Sequence, residues 1–179
     1  MSAMKRLLPP LALLLVLAPA AFGQSGGSAL KGHDTDAPVD VAADRIEVQD
    51  RADRAIFSGN VDVRQGNLRL NAARLIVAYA SSGGIEIQRL EASGGVILRS
   101  PSETARSQYA IYDLDRRLVT MIGGVTLTRG ANNVQGGRLV LDLDSGRAVM
   151  DGGAAGAPGT RDGSGRVTGR FTVPPRKGN

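Results

Sequence analysis

The sequence contains no cysteine, no tryptophan and a single histidine, and only 3% of its residues are aromatic. Without cysteine the chain can form no disulfide bond, no thiol nucleophile and no thiolate metal site. It also lacks the cysteine that would carry the lipid of a lipoprotein. Binding to single-stranded nucleic acid relies on aromatic side chains that stack on bases, so the scarcity of aromatics argues against that function.

The polar residues form no recognisable catalytic set, and we predict neither an enzyme nor a cofactor. His33 stands in a polar stretch without a predicted pocket or partner, which a general base requires. Two acidic pairs, Asp113 with Asp115 and Asp142 with Asp144, each place two carboxylates on one face. Such pairs serve glycoside hydrolysis or calcium binding in other proteins. We interpret them here as a solvated strand face that leads into a turn, and keep an enzyme acting on envelope polysaccharide as an alternative.

Positive charge is concentrated at the two ends of the chain. The net charge is +5, but residues 25–153 carry 15 basic and 16 acidic side chains. A nucleic-acid-binding domain would carry its basic charge on a folded surface, so we predict no nucleic-acid partner. Residues 154–179 are rich in Gly, Pro and Arg and have little apolar surface to bury. We therefore predict a disordered basic tail there.

The N-terminus has the three-part layout of a secretory signal peptide. Lys5 and Arg6 precede an apolar run over residues 7–18, and small residues lead up to Gly23. The run is shorter than the roughly 20 residues of a membrane-spanning helix. We predict a signal peptide over residues 1–23, cleaved after Gly23, followed by a polar linker over residues 24–37. An uncleaved membrane anchor is the alternative.

A unit of about 30 residues is repeated about four times between residues 38 and 153. Each unit begins with an arginine that is followed by an apolar, any and apolar residue, and Gln108 takes the place of this arginine in the third unit. Each unit ends at a glycine followed by Gly or Asn. The first positions are Arg45, Arg74, Gln108 and Arg138, and the glycine pairs are 59–60, 94–95, 123–124 and 152–153.

Apolar residues alternate with polar or mixed residues on both sides of these glycines, which is typical of strands with one buried face. Gly-Asn and Gly-Gly pairs supply the positive φ angles of tight hairpin turns, so we predict turns at these positions. Residues 65–67 and 129–133 are further predicted turns. The pattern predicts an all-β fold of short antiparallel strands whose units stack around one interior.

Several spaced motifs resemble the OstA-like family of lipopolysaccharide-transport proteins. They are the runs over residues 38–48 and 55–66, and the later runs over 72–77 and 136–143. The resemblance covers residues 38–153. It implies a β jelly roll of V-shaped antiparallel sheets, open along one side, whose apolar interior holds the acyl chains of lipopolysaccharide. It also implies a periplasmic location, head-to-tail self-association, and contacts with OstA-like domains of inner-membrane and outer-membrane components.

We predict that the apolar side chains at every second position along the strands line a lipid path. The alternatives are packing in an ordinary core, as in a structural β-solenoid that binds no lipid, and an inner-membrane-anchored component of the same transport path. The predicted lipid-binding residues are Val39, Val41, Ile46, Val48, Phe57, Val61, Val63, Leu68, Leu70, Leu75, Val77, Val96, Leu98, Tyr109, Ile111, Met121, Val125, Leu127, Leu139, Leu141 and Met150.

Overall fold

The computed structural model describes residues 33–81, 84–153 and 165–172. Apart from one short 3₁₀ helix, Asp50–Ala52, the regular structure in these residues is β-strand, which confirms the predicted all-β class. The strands are β1 (Val39–Ala42), β2 (Arg45–Gln49), β3 (Arg54–Gln65), β4 (Leu68–Ala80), β5 (Glu86–Arg99), β6 (Glu103–Asp113), β7 (Leu118–Arg129), β8 (Asn132–Asp142), β9 (Arg147–Asp151) and β10 (Thr168–Arg170).

All ten strands belong to one open, antiparallel sheet. Strands β3 to β8 follow one another in chain order, each paired with the next. At one edge β1 and β2 pair with successive parts of β3, and at the other edge β9 and β10 pair with successive parts of β8. Each edge of the described sheet is therefore formed by two short strands, and the two edges are not paired with each other.

The glycine pairs lie inside long strands, which corrects our prediction of hairpin turns at 59–60, 94–95 and 123–124. At each pair, two residues of β3, β5 or β7 lie opposite one residue of a neighbouring strand, so each pair forms a β-bulge. All six residues have positive φ angles. Two consecutive positive φ angles suit a bulge as well as a tight hairpin, so the sequence pattern does not distinguish between them.

The bulges follow one line across the sheet, which we call the break row. Between the bulges the row passes through Ala73 on β4, Gln108 on β6 and Gly137 on β8, and it reaches Asp44 between β1 and β2. A Cβ atom built on Gly94 would lie 2.7 Å from the Ala73 Cβ, and one on Gly123 would lie 3.0 Å from the Gln108 Cβ. Glycine is required in these strands because the facing residue occupies the space of the missing side chain.

The break row also corrects the register of the third repeat. On β2, β4 and β8 the residue that directly follows the break row is an arginine, namely Arg45, Arg74 and Arg138. On β6 the corresponding residue is Tyr109, which follows Gln108. The third unit therefore begins one residue later than we predicted.

The break row divides the sheet into two layers that pack on each other. We call the half that contains β2 and β9 the lower layer, and the half that contains β1 and β10 the upper layer. The Tyr112 hydroxyl of the lower layer donates a hydrogen bond to Gln65 Oε1 of the upper layer at 3.0 Å. Their strands, β6 and β3, are three positions apart, which is about 14 Å in a flat sheet. The sheet therefore bends until its two inner faces meet.

The turns at the strand ends agree better with the sequence analysis. Gly66 and Asn67 join β3 to β4, and Gly130 and Ala131 join β7 to β8, which confirms the two further turns that we predicted. Gly66 and Gly130 have positive φ angles of 52° and 55°. Glycine adopts this conformation without a steric penalty.

Contacts with the sheet extend beyond both predicted boundaries of the domain. Residues 33–37, part of the predicted linker, are hydrogen-bonded to Gln65. In the predicted disordered tail, β10 pairs with residues 133–135 of β8, which corrects the prediction for residues 168–170. Backbone hydrogen bonds to a free strand edge order this segment although it has little apolar surface. The predicted signal peptide and the rest of the tail, residues 154–164 and 173–179, lie outside the described residues.

Candidate functional site

The inner face of the lower layer carries a row of apolar side chains that runs from one sheet edge to the other. Each residue of the row lies directly opposite the next on the neighbouring strand, so all of them point to the same face. Eight strands, with seven spacings of about 4.8 Å between them, make the row about 34 Å long. This first row consists of Ile46, Phe57, Leu75, Ala92, Ala110, Met121, Leu139 and Met150.

A second row lies beside the first and crosses the same eight strands. No residue of this row is charged. Its only polar side-chain atom is the hydroxyl oxygen of Tyr112, which is hydrogen-bonded. The second row consists of Val48, Ala55, Val77, Leu90, Tyr112, Val119, Leu141 and Ala148.

The upper layer faces these rows with an apolar row of its own. It begins at Val41 on β1 and ends at Val134 on β8, where β10 covers the edge. Beside it Gln65, only 4% exposed, is the polar residue next to Val39 and Leu68. The third row consists of Val41, Val63, Leu70, Leu98, Ala105, Leu127 and Val134.

The interior is accessible from solvent along the edge formed by β2. Ile46 lies opposite Phe57 and Val48 lies opposite Ala55, so both point to the inner face. Even so, Ile46 is 55% exposed and Val48 is 56% exposed. Side chains this apolar on an inner face are normally covered. The two rows therefore begin at an open edge and continue without interruption into the buried core.

Between the layers, the protein's own side chains fill the interior. One cavity of about 20 Å³ lies between Val39, Val63, Leu90 and Val119. A second, of about 10 Å³, lies between residues that include Leu68 and Leu141. The larger cavity has room for about one water molecule. An acyl chain therefore enters this interior only if the two layers separate.

The structure places most of the predicted lipid-binding residues on the inner face. Five pack partly buried against the core: Val39, Val41, Phe57, Leu127 and Met150. Ile46 and Val48 form the open edge. Twelve are buried: Val61, Val63, Leu68, Leu70, Leu75, Val77, Val96, Leu98, Met121, Val125, Leu139 and Leu141.

Two predicted residues, Tyr109 and Ile111, lie on the outer face. Tyr109 is 57% exposed, and Ile111 is 37% exposed. Their neighbours Ala110 and Tyr112 point inward instead, because the third unit begins one residue later than predicted. Tyr109 and Ile111 are therefore removed from the candidate lining.

Several inward residues were absent from the predicted lining. Leu90 and Val119 occupy the apolar positions four residues before a glycine pair, a signal that was present in the repeat. Ala110 and Tyr112 require the corrected register. Gln65 has no comparable signal, because a buried glutamine depends on partners that are distant in the sequence.

The first residue of each acidic pair, Asp113 and Asp142, stabilises a turn. Asp142 Oδ1 accepts hydrogen bonds from the backbone N–H groups of Asp144 and Ser145 at 3.1 and 3.0 Å. The bond from Ser145 keeps the pKa of Asp142 below its usual value. Asp113 Oδ1 likewise accepts a bond from the N–H of Arg116.

In residues 33–81, 84–153 and 165–172 there is no cluster of metal-binding side chains and no helix that is long and apolar enough to cross a membrane.

Among the proteins similar to this chain are two curated proteins and a solved structure. An uncharacterised protein of Rhizobium meliloti (strain 1021) is 32% identical over 145 residues, which cover 76% of this chain and 78% of that protein. The lipopolysaccharide export system protein LptH of Pseudomonas aeruginosa is 25% identical over 141 residues, covering 76% and 79%.

The crystal structure of P. aeruginosa LptH, described as the LptA-homologous periplasmic component of the lipopolysaccharide transport device, matches this fold with a TM-score of 0.67 at 17% identity. The match covers 79% of this chain and 99% of that chain, and it confirms the predicted fold. Residues 40–147 match the family model described as the LptA/(LptD N-terminal domain) LPS transport protein. Since this match spans more than half of the sequence, the chain belongs to the LptA/LptD N-terminal-domain family of lipopolysaccharide transport proteins.

Proposed function

We propose that this protein binds lipopolysaccharide in the periplasm and shields the acyl chains of lipid A along the inner rows of its sheet. The observation that carries the proposal is the pair of apolar rows that run from Ile46 and Val48 at one edge to Met150 and Ala148 at the other. Exposing an acyl chain of about a dozen carbons to water costs on the order of 10 kcal/mol. A lining of this length offsets that cost without requiring one fixed chain geometry.

The proposal includes a separation of the two layers to admit the lipid. The interior is filled at rest, but the sheet is open, and its two edges are joined by no described strand pairing. The exposed Ile46 and Val48 provide the first apolar contact for an incoming chain. From there the lipid replaces contacts between the layers with contacts of its own.

The same rows support a role as a bridge between membranes. Within the part of the chain that the structure describes, no further strand pairs with the outer side of either edge, so the backbone groups there can pair with another strand. Head-to-tail pairing of an edge formed by β1 and β2 with another formed by β9 and β10 would join the apolar rows of successive copies. Contacts of this kind extend without closing. The proposed partners are further copies of this chain and OstA-like domains of the inner-membrane and outer-membrane components.

Photocrosslinking in growing cells tests the lipid proposal. A photoreactive residue at Ile46 or Phe57, on the inner face, is expected to form adducts with lipopolysaccharide. The same residue at Tyr109 or Ile111, on the outer face, is the matched control and is expected to form none above background. Equal labelling of both faces would contradict the proposal. No labelling at any position would favour a structural protein that binds no lipid.

N-terminal sequencing of the mature protein tests the proposed location. Cleavage after Gly23 predicts a mature chain that begins at Gln24. An intact N-terminus would instead favour the inner-membrane-anchored component of the transport path.

A further inference from the structure

We propose that residues 33–37 form a strap that holds the two layers together at one end of the interior, and that the strap sets the rate at which an acyl chain enters. This inference builds on the proposed function, because it concerns the step that admits the lipid.

Gln65 on β3 fastens the strap to the upper layer. Its Nε2 donates hydrogen bonds to the backbone carbonyls of Thr35 at 2.8 Å and Ala37 at 3.1 Å. Since carbonyl oxygens only accept, these two bonds fix the orientation of the amide. Gln65 Oε1 therefore points to the opposite side and is available only as an acceptor.

The same amide oxygen joins the strap to the lower layer. It accepts a hydrogen bond from the Tyr112 hydroxyl of β6 at 3.0 Å. His33 Nε2 lies 3.3 Å from this oxygen, so the imidazole carries a proton on Nε2 and donates it. One buried glutamine thus connects the beginning of the strap, the end of β3 and the end of β6.

An ion-pair bridge makes a second connection on the exposed side of the strap. The guanidinium of Arg117, between β6 and β7, contacts Asp36 of the strap at 3.1 Å and Asp144 of the turn after β8 at 3.0 Å. Hydrogen bonding to Asp144 raises the pKa of Arg117. Exposed ion pairs of this kind contribute little individually. Together with Gln65, however, they fasten both sides of the strap.

The strap lies where the layers must separate. Gln65 and Tyr112 line the larger cavity, together with Val39 just after the strap and with apolar residues of both layers. To separate at this end, the layers must first break the Gln65–Tyr112 hydrogen bond. Breaking a buried hydrogen bond of this type has a large free-energy cost, because neither partner can form a replacement bond with water.

The double variant Tyr112→Phe/Arg117→Gln tests the strap, because it removes one hydroxyl and one charge and retains the aromatic ring. The matched control is Tyr109→Phe/Arg116→Gln, which makes the same changes on the outer face and at an arginine that pairs with Asp113. Hydrogen–deuterium exchange measures opening, and the fluorescence of 11-(dansylamino)undecanoic acid in stopped flow measures the entry of an acyl chain. Unchanged exchange at Leu139 confirms that the core is intact.

In the strap variant we expect both amide exchange over residues 33–42 and the association rate of the probe to rise about fivefold, as for the loss of one average hydrogen bond. The control is expected to match the wild type. Equal probe rates in the wild type, the strap variant and the control would overturn the strap proposal, with or without faster exchange. If the wild type and both variants bound no probe, the proposed lipid-binding function itself would fail.

Discussion

Tyr109 and Tyr112 show how strongly the position of one residue depends on the bulge before it. Both lie on β6, but Tyr112 is buried in the second inner row, whereas Tyr109 stands on the outer face. Their roles follow from the break row, because Gln108 is the single residue opposite Gly94 and Gly95. A tyrosine side chain therefore packs in the core at position 112 and is exposed to solvent at position 109.

Replacement of each tyrosine by alanine tests this assignment. Tyr112→Ala is expected to lower the free energy of unfolding by about 3 kcal/mol, as for other large buried side chains. Tyr109→Ala is expected to change it by about 0.5 kcal/mol, as for other surface positions. Urea denaturation measures both values. Similar losses for the two variants would contradict the corrected register.

The titration of Tyr112 is a second prediction at this scale. Burial raises the pKa of Tyr112. In the unfolded chain a tyrosine loses its proton near pH 10. The folded protein keeps this proton to higher pH, so the free energy of unfolding falls as the pH rises from about 10 towards the raised pKa.

Ultraviolet absorbance during an alkaline titration is expected to show one tyrosine that ionises after the others. The late step should be missing in Tyr112→Phe and retained in Tyr109→Phe. A late step that persists in Tyr112→Phe would assign the raised pKa to another residue.

At the scale of elements, the bulges allow six long strands to contribute to both layers. Strands β3 to β8 are 11 to 14 residues long, and each crosses the break row. Apolar alternation predicts such strands from the sequence alone, because a period of two residues reflects one buried face. It does not predict that Gly59–Asn60 or Gly94–Gly95 continue a strand, because the opposing residue Ala73 comes from a different segment of the chain.

Gly94 and Gly95 form a matched pair for testing the break row. Their φ angles are 84° and 83°, so alanine introduces the same type of backbone strain at both. Only at Gly94 does the new Cβ meet the Ala73 Cβ, at 2.7 Å, whereas at Gly95 nothing lies within 4 Å. We expect Gly94→Ala to be more destabilising than Gly95→Ala by about 1–3 kcal/mol, the usual cost of overpacking.

Thermal and urea unfolding of the two single variants measure this difference. The double variant Gly94→Ala/Ala73→Gly is expected to recover part of the loss, because it removes the facing methyl group. Equal effects at Gly94 and Gly95, without recovery in the double variant, would show that backbone strain alone makes glycine necessary here.

At the scale of the whole molecule, the open edges were predictable only through the family resemblance. The repeat identifies which side chains point inward. Ile46 and Val48 occupy the same positions in their unit as Leu75 and Val77 do in theirs, so the repeat predicts an inward orientation for all four. Whether an inward residue is covered depends on what lies across the interior. The exposure of β2 is therefore a result of the three-dimensional arrangement, and so is the burial of Gln65 beneath residues 33–37.

Lysine at the open edge tests head-to-tail association. The double variant Ile46→Lys/Val48→Lys is expected to fold, because both side chains are more than half exposed. Charged side chains on an edge strand hinder pairing with another strand. Sedimentation velocity over a range of concentrations is expected to show larger species for the wild type and mainly monomer for the variant.

Ile85→Lys is the control for this experiment, since Ile85 is exposed but precedes β5 and lies away from both sheet edges. It is expected to associate like the wild type. A wild type that remains monomeric at every concentration would contradict the proposed self-association.

The tightly filled interior has a consequence for how firmly any cargo is held. A protein that must first open binds its ligand more weakly than a permanently open one, in proportion to the fraction of time that it spends open. Under the proposed function, Leu75, Met121 and Leu139 are buried again when an acyl chain leaves. Closing of the two layers therefore favours release of the ligand. This suits a transport protein better than a storage protein.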